Sequence, residues 1–341
     1  MKKRELVINA LNHKSGVVPH QINYTTVYAD MVHERMGKEI DLDEFFDNNI
    51  TLAKYKKNKV VGKDREVDLF GLTWDKSAED GGDIGIPILP PITDTEINQD
   101  GSFCGYTMPK PNIEFARSQA EKLAGDKNGY FRMYGISFAI YERAWGLRGM
   151  ENVLMDFINE PKFMHCLLGQ ITEHHLEMLD AVLDYDFEAL YLGDDWGSQR
   201  GLVMGPKIWR KFIAPCLKKI VDMAKSKGKF VVLHSCGDNW DIIGDWIDIG
   251  IDCYNTVQPE IYDLEKLKRE FGRDITFYGA ISNQQFLPYA SPTEVKEHCL
   301  RVMEILAHDG GYILSPTHNI TPDIPIENAL MIIEAAREFG K

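Results

Sequence analysis

Eight short apolar runs, at 17–23, 48–54, 130–135, 188–194, 229–235, 251–256, 275–280 and 311–316, limit what this chain can fold into more than any other feature. The later runs alternate with stretches of helical periodicity. Between Pro206 and Ser226 the apolar residues Ile208, Trp209, Phe212, Ile213, Leu217, Ile220, Val221 and Ala224 recur at spacings of three and four, and Gly228 closes that helix. Strands alternating with helices over short connections make a parallel sheet. In 341 residues the pattern predicts an α/β protein built as one TIM (β/α)8 barrel, residues 1–341 forming a single domain with a short N-terminal extension. The stretch 55–128 breaks the alternation. Strand-like pieces such as Val67-Asp68-Leu69-Phe70-Gly71-Leu72-Thr73-Trp74 sit among Gly, Pro and Asp turns there, and Ile86-Pro87-Ile88-Leu89-Pro90-Pro91 excludes a central strand or a helix. A connection of that length reads as a lid-like insertion over the barrel mouth.

In a barrel of this kind the reactive groups sit at the carboxyl ends of the strands, and polar residues fall there repeatedly. The run Phe230-Val231-Val232-Leu233 ends in His234-Ser235-Cys236-Gly237, which sets an imidazole and a thiol two positions apart and so on one side of an extended strand tip. The run ending Ser315-Pro316-Thr317-His318 delivers a second histidine the same way. Zinc takes N and S donors, and three protein ligands with one open position mark a catalytic site, so His234, Cys236 and His318 are read as a metal set. The other strand-tip candidates are Gln21, Asn23 and Tyr24, then Glu142, Asp194 and Asp195, and further on Asn255, Gln258, Ser282, Asn283 and Asn319. Asp195 is equally suited to capping the helix after Gly193 or Gly197 and to site chemistry. Tyr134, Phe138, Tyr141 and Trp145 read first as core and second as the wall of an apolar ligand site. His13, His33, His165, His174, His175, His298 and His308 lie on helix or loop patterns and read as packing or solvated residues.

The formal charge of −14, from 38 basic and 52 acidic residues, comes without any basic tract, which argues against nucleic acid as a partner. No apolar stretch is long enough to span a bilayer, and Met1-Lys2-Lys3-Arg4-Glu5 leads into an amphipathic segment with no signal-peptide core. The expected setting is the cytoplasm. The six cysteines form no C-x-x-C pair and read as free thiols there.

The H-x-C-G strand tip, the segment Tyr191-Leu192-Gly193-Asp194-Asp195-Trp196-Gly197-Ser198-Gln199 and the ending Ser315-Pro316-Thr317-His318-Asn319-Ile320-Thr321-Pro322-Asp323 resemble the uroporphyrinogen decarboxylase superfamily, most of all its zinc-dependent, corrinoid-linked methyltransferase branch. The resemblance covers nearly the whole chain. It implies zinc at the carboxyl face of a TIM barrel, bound by His234 and Cys236, with His318 where the thiol-methylating members carry a cysteine. A ligand set with fewer thiolates makes zinc more Lewis-acidic and suits it to polarising oxygen. The decarboxylases of the superfamily carry an arginine-rich segment after the first strand, whereas Pro19-His20-Gln21-Ile22-Asn23-Tyr24-Thr25 has no arginine. The resemblance therefore implies methyl transfer from a small methylated donor, a methyl ether and in first place an aryl one, to a corrinoid (cobalamin) on a partner protein. Asp195 and Glu142 would serve the chemistry, and Gln21, Asn23, Tyr24, Tyr134, Asn255 and Asn283 would bind substrate. A homodimer is compatible with this reading. The alternatives are a decarboxylase acting on a small substrate and a barrel that binds a small ligand without catalysis.

Overall fold

The computed structural model describes residues 2–55, 58–77 and 85–339. Seven of the eight expected runs form one parallel sheet whose strands neighbour one another in chain order: Ile50–Lys54, Phe131–Ser137, Ala189–Gly193, Phe230–His234, Cys253–Val257, Thr276–Ile281 and Tyr312–Pro316. Sequential order with helical crossovers curls the sheet into a TIM-like half-barrel. Apart from the edge strand Ile50–Lys54, the strands are mostly buried, as expected of a parallel sheet covered on both faces. Side chains at alternate positions therefore feed two cores. One fills the inside of the curl with Ile50, Phe131, Met133, Val232, Tyr278 and Ile313, and the helix Lys3–Leu11 adds Val7, Ala10 and Leu11 to it. The other packs the outer face against helices such as Pro161–Asp180 and Ala214–Ser226.

The first expected strand, 17–23, is a correction. It forms only single parallel bridges, His20 to Leu314 and Tyr24 to Ile320, and no ladder. Pro19 has no N–H to give, and the side chains of the next segment take over the bonding. Asn49 accepts from the His20 N–H at 2.9 Å, Asn48 from the Ile22 N–H at 2.8 Å, and the Ile50 N–H donates to Gln21 Oε1 at 2.9 Å. Residues 19–25 are thus bonded to both edge strands, by backbone to the seventh and mostly through amide side chains to the first.

The helix expected from Pro206 to Ser226 begins and ends there, with one irregularity. A π-helical turn at Trp209–Ile213 precedes Pro215, whose missing N–H cannot close an ordinary helical turn. Of the stretch 55–128, residues 56–57 and 78–84 lie outside the described residues. The rest contains a four-stranded antiparallel sheet, 59–62, 65–67, 73–75 and 86–88, and the helix Ile113–Ala124. Its proline-bearing strand, Ile86–Ile88, is an edge strand, where a missing donor is tolerated. The small sheet is fastened to the barrel side by buried residues: Phe70, Leu72 and Trp74 have 5%, 0% and 5% exposure, and Asp68 pairs with Arg143 at 2.5 Å. No helix among the described residues is long and apolar enough to cross a membrane.

Candidate metal centre

Register decides what meets at the strand tips. His234, the last residue of the fourth strand, lies opposite Gly193 on one side and Asn255 on the other. Asn255 Oδ1 stands 2.6 Å from His234 Nδ1. An amide oxygen there accepts, so Nδ1 carries the proton and Nε2 is left with its lone pair. That Nε2 faces Cys236 Sγ at 3.5 Å and Asp195 Oδ1 at 3.8 Å. Among the described residues this is the one group of His, Cys, Asp or Glu side chains whose ligand atoms all lie within 4.8 Å of one another.

Two glycines make the convergence sterically allowed. The turn after Gly193 and the turn after His234 touch backbone to backbone, and a Cβ on Gly237 would lie 2.3 Å from the Gly197 carbonyl carbon. Gly237 also has φ +82°, a region that L side chains avoid. This contact lets the Cys236 N–H donate to Asp195 Oδ1 at 2.8 Å, and Gln258 Oε1 takes the Gly237 N–H at 2.7 Å. Asp195 is thereby a member of the donor group and not a cap. Capping falls to Asp194 at another helix: it accepts from the N–H groups of Tyr141 and Glu142 at the start of Tyr141–Arg148, and from Trp196 Nε1 at 2.7 Å.

Burial, the Asp195 charge and a hydrogen bond to Asp195 raise the Cys236 thiol well above its usual range. Glu142 is also raised well above the carboxylate range, first by burial and then by Asp195 and Asp194, with a hydrogen bond from the Asp195 backbone working the other way. Burial and the neighbouring charges both favour the protonated carboxyl over the carboxylate. His318 stands beside the cluster and outside it, its ring 6.2 Å from that of His234 at 66°. Packing around the ring and then the neighbouring His234 hold His318 below the usual histidine range. Its loop is tied down by Asn283, which accepts from Thr317 Oγ1 at 2.5 Å and donates to the Asn319 carbonyl at 3.2 Å.

The expected substrate-binding residues scatter. Asn255 and Asn283 hold His234 and the His318 loop in place. Gln21 is spent on the Ile50 N–H and on Asn23. Asn23 is exposed, and its side chain reaches Tyr278. Tyr134 is a correction: it is fully buried on the helical side, stacked on Phe187 with its hydroxyl toward the Ala116 carbonyl. Tyr24 alone of the six lines a cavity of about 540 Å³ beneath the small sheet. Its lining includes Asn319, next to His318 in sequence, and Ser137, which lies opposite Gly193, but not Asp195, His234 or Cys236. Its walls bring in residues the sequence left unremarked, among them Lys54, Tyr55, Trp74, Phe115 and Arg143, together with Phe138. Glu260 was also unremarked, and it accepts from the Ser282 hydroxyl at a neighbouring strand tip.

The family model described as uroporphyrinogen decarboxylase (URO-D) matches residues 108–339. A uroporphyrinogen decarboxylase of Vibrio vulnificus is 23% identical over 264 residues, covering 74% of this chain and 72% of that protein. One from Vibrio campbellii is 23% identical over 248 residues, covering 70% and 67%. Among solved structures, a methyltransferase from Methanosarcina mazei superposes over 100% of both chains with a TM-score of 0.70 at 17% identity. That likeness is one of fold.

Proposed function

Because the chain belongs to the uroporphyrinogen decarboxylase family, we propose that it is a methyltransferase of that family, taking a methyl group from a small methyl ether, an aryl ether in first place, for the corrinoid of a partner protein. The observation that carries the reading is the convergence of His234, Cys236 and Asp195 at one strand-tip corner. The donor set fits zinc: with bonds of about 2.0–2.3 Å, the edges of a zinc tetrahedron run to about 3.3–3.8 Å. The His234–Cys236 separation of 3.5 Å matches the edge for one nitrogen and one sulfur ligand, and the His234–Asp195 separation of 3.8 Å is a few tenths of an ångström longer than an N–O edge. His234 and Cys236 would hold the ion, with His318 and the Asp195 carboxylate as further donors. When bound, zinc supplies Lewis acidity toward an ether oxygen.

The chain's own residues do the rest. Asn255 fixes the His234 tautomer, and the Gly197–Gly237 contact holds Asp195 against Cys236. Glu142, whose carboxyl burial and the neighbouring Asp195 bias toward the protonated form, would give a proton to the oxygen that the methyl group leaves. The shared fold with the Methanosarcina methyltransferase over its full length supports the reading.

Decarboxylation of a small substrate is the second reading, favoured by the names of the curated relatives. Against the porphyrinogen itself stands the arginine-free segment Pro19–Thr25, and the cavity's one arginine, Arg143, is already paired with Asp68. Each charge-assisted pair withheld from a substrate carboxylate removes about 1.5–3 kcal/mol of binding.

The test measures zinc in untagged protein and then methylcobalamin formation from cob(I)alamin with a series of methoxyarenes. Near-stoichiometric zinc that is lost in Cys236→Ala, together with donor-dependent methyl transfer, is the expected result. Zinc-independent turnover of uroporphyrinogen, or full metal retention in Cys236→Ala, would overturn it.

A further inference from the structure

The cavity beneath the small sheet has a charge opposite in sign to that of the chain. At −14 overall, the protein repels anions at long range. Among the described residues the cavity walls hold Lys54, Lys59, Asp68 and Arg143, together with His175. Asp68 and Arg143 neutralise one another at 2.5 Å, and burial holds His175 well below the usual histidine range. The charge that remains in the walls is that of two cations, Lys54 and Lys59.

Strand alternation places Lys54. Ile50 and Leu52 belong to the core inside the curl of the sheet, so Lys54, two positions further, continues their row at the carboxyl end of the first strand. An apolar inward row that ends in an ammonium group adds nothing to the core and sets a positive charge at the strand-tip end of the cavity, where Ser137 also lines it. The same charge reaches His318, where it disfavours the protonated ring. Lys59 stands on the small sheet, opposite Val67, another wall residue. Both lysines are exposed and so open to a ligand.

Much of the remaining wall is aromatic, with Phe138 edge-on to Trp74 at 4.8 Å and Tyr55 beside Phe115 at 6.1 Å. A neutral ring gains only from these side chains, whereas a ring that bears an acid group gains from the ammonium groups as well. We propose that this cavity selects aromatic carboxylates, the ring lying against the aromatic wall and the carboxylate drawn to Lys54 and Lys59. For the reaction this rests on the aryl-ether reading above and narrows it to aryl methyl ethers that carry a carboxylate. The binding preference itself does not depend on methyl transfer.

The experiment is calorimetric titration of the full chain, with zinc present and after chelation, using 4-methoxybenzoate and its uncharged isostere 4-methoxybenzamide. The acid is expected to bind about five- to tenfold more tightly than the amide, between the effect of an exposed ion pair and that of a buried charged hydrogen bond, and the ratio should shrink as salt is raised. Lys54→Met and Lys59→Met should each lower the ratio and together remove it, while Lys54→Arg should keep it. Equal binding of acid and amide, a double variant that retains the preference, or no binding at millimolar probe would each overturn the proposal. So would a preference that vanishes on chelation, because it would assign the carboxylate to the metal. Selective binding of the acid without methyl transfer to cob(I)alamin would count against the proposed function and leave this site standing, and methyl transfer that favours the amide would do the reverse.

Discussion

At the scale of single residues the candidate site turns on a proton position. His234 can present Nε2 to a metal because Asn255 Oδ1 holds the proton on Nδ1, 2.6 Å away, and an outer partner of this kind is commonly worth 10- to 100-fold in metal affinity. Asn255→Leu is therefore expected to weaken zinc binding by about that factor, while Asn255→Asp, which still accepts from Nδ1–H, should stay within a few-fold of wild type. Competition with a chromophoric chelator measures both, and equal affinities for the three proteins would dismiss the tautomer argument. The H-x-C pair was legible because alternation along one strand is a local rule. Asp195 was legible as a strand-tip candidate, but its contact with Cys236 was not, since that requires the register of Gly193 opposite His234 and the backbone contact of Gly197 with Gly237. The glycine after Cys236 and the one two places after Asp195 were the available signal, and only the pairing of two turns gives them meaning.

The elements were legible in proportion to how far one pattern governs them. Continuous apolar runs located seven strands, because strands buried on both faces admit little else. The run 17–23 failed as a ladder because Pro19 and the amide side chains of Asn48 and Asn49 replace backbone pairing, which hydrophobicity does not report. The small sheet was harder still. Its attachment depends on Asp68 meeting Arg143 across 75 positions of sequence, with both side chains 8% exposed. Removing one member of such a pair leaves a buried charge without its partner, typically at about 3–5 kcal/mol. Asp68→Ala also strips the acceptor of the Phe70 and Leu72 N–H groups, so it belongs at the upper end. Arg143→Met should cost less, because a methionine of similar reach keeps the packing on Phe70. In urea unfolding the double variant should lose clearly less than the sum of the two single changes. Strict additivity would mean that the pair does not fasten the sheet.

For the molecule as a whole, the closing segment makes stability a matter of pH. His20 lies between the first and seventh strands at 4% exposure, and burial lowers its pKa from 6.5 to about 4, against the opposing pull of Asp47. Between those two values the unfolded chain takes up a proton at His20 that the folded chain refuses. Acid therefore favours unfolding across that window, and the loss is complete only below the folded pKa. A shift of this size amounts to on the order of 3 kcal/mol. His174 and His175, also lowered chiefly by burial, add to the loss in the same direction. Glu142 and Asp194, whose carboxyls burial raises, oppose it, because the folded chain holds their protons more tightly than the unfolded one. Relief of the net charge of −14 on acidification opposes it as well. A comparison that cancels all of these isolates His20. His20→Gln keeps a polar group near the Phe46 carbonyl that His20 Nε2 reaches at 3.3 Å, yet binds no proton. Between pH 7 and pH 4.5 the wild-type protein should lose more unfolding free energy than His20→Gln, by on the order of 2–3 kcal/mol, with the two curves parallel above pH 7. Urea titrations at fixed pH give the difference directly. Parallel curves over the whole range would mean that His20 is solvated in the fold, and that residues 19–25 do not seal the two edges of the sheet.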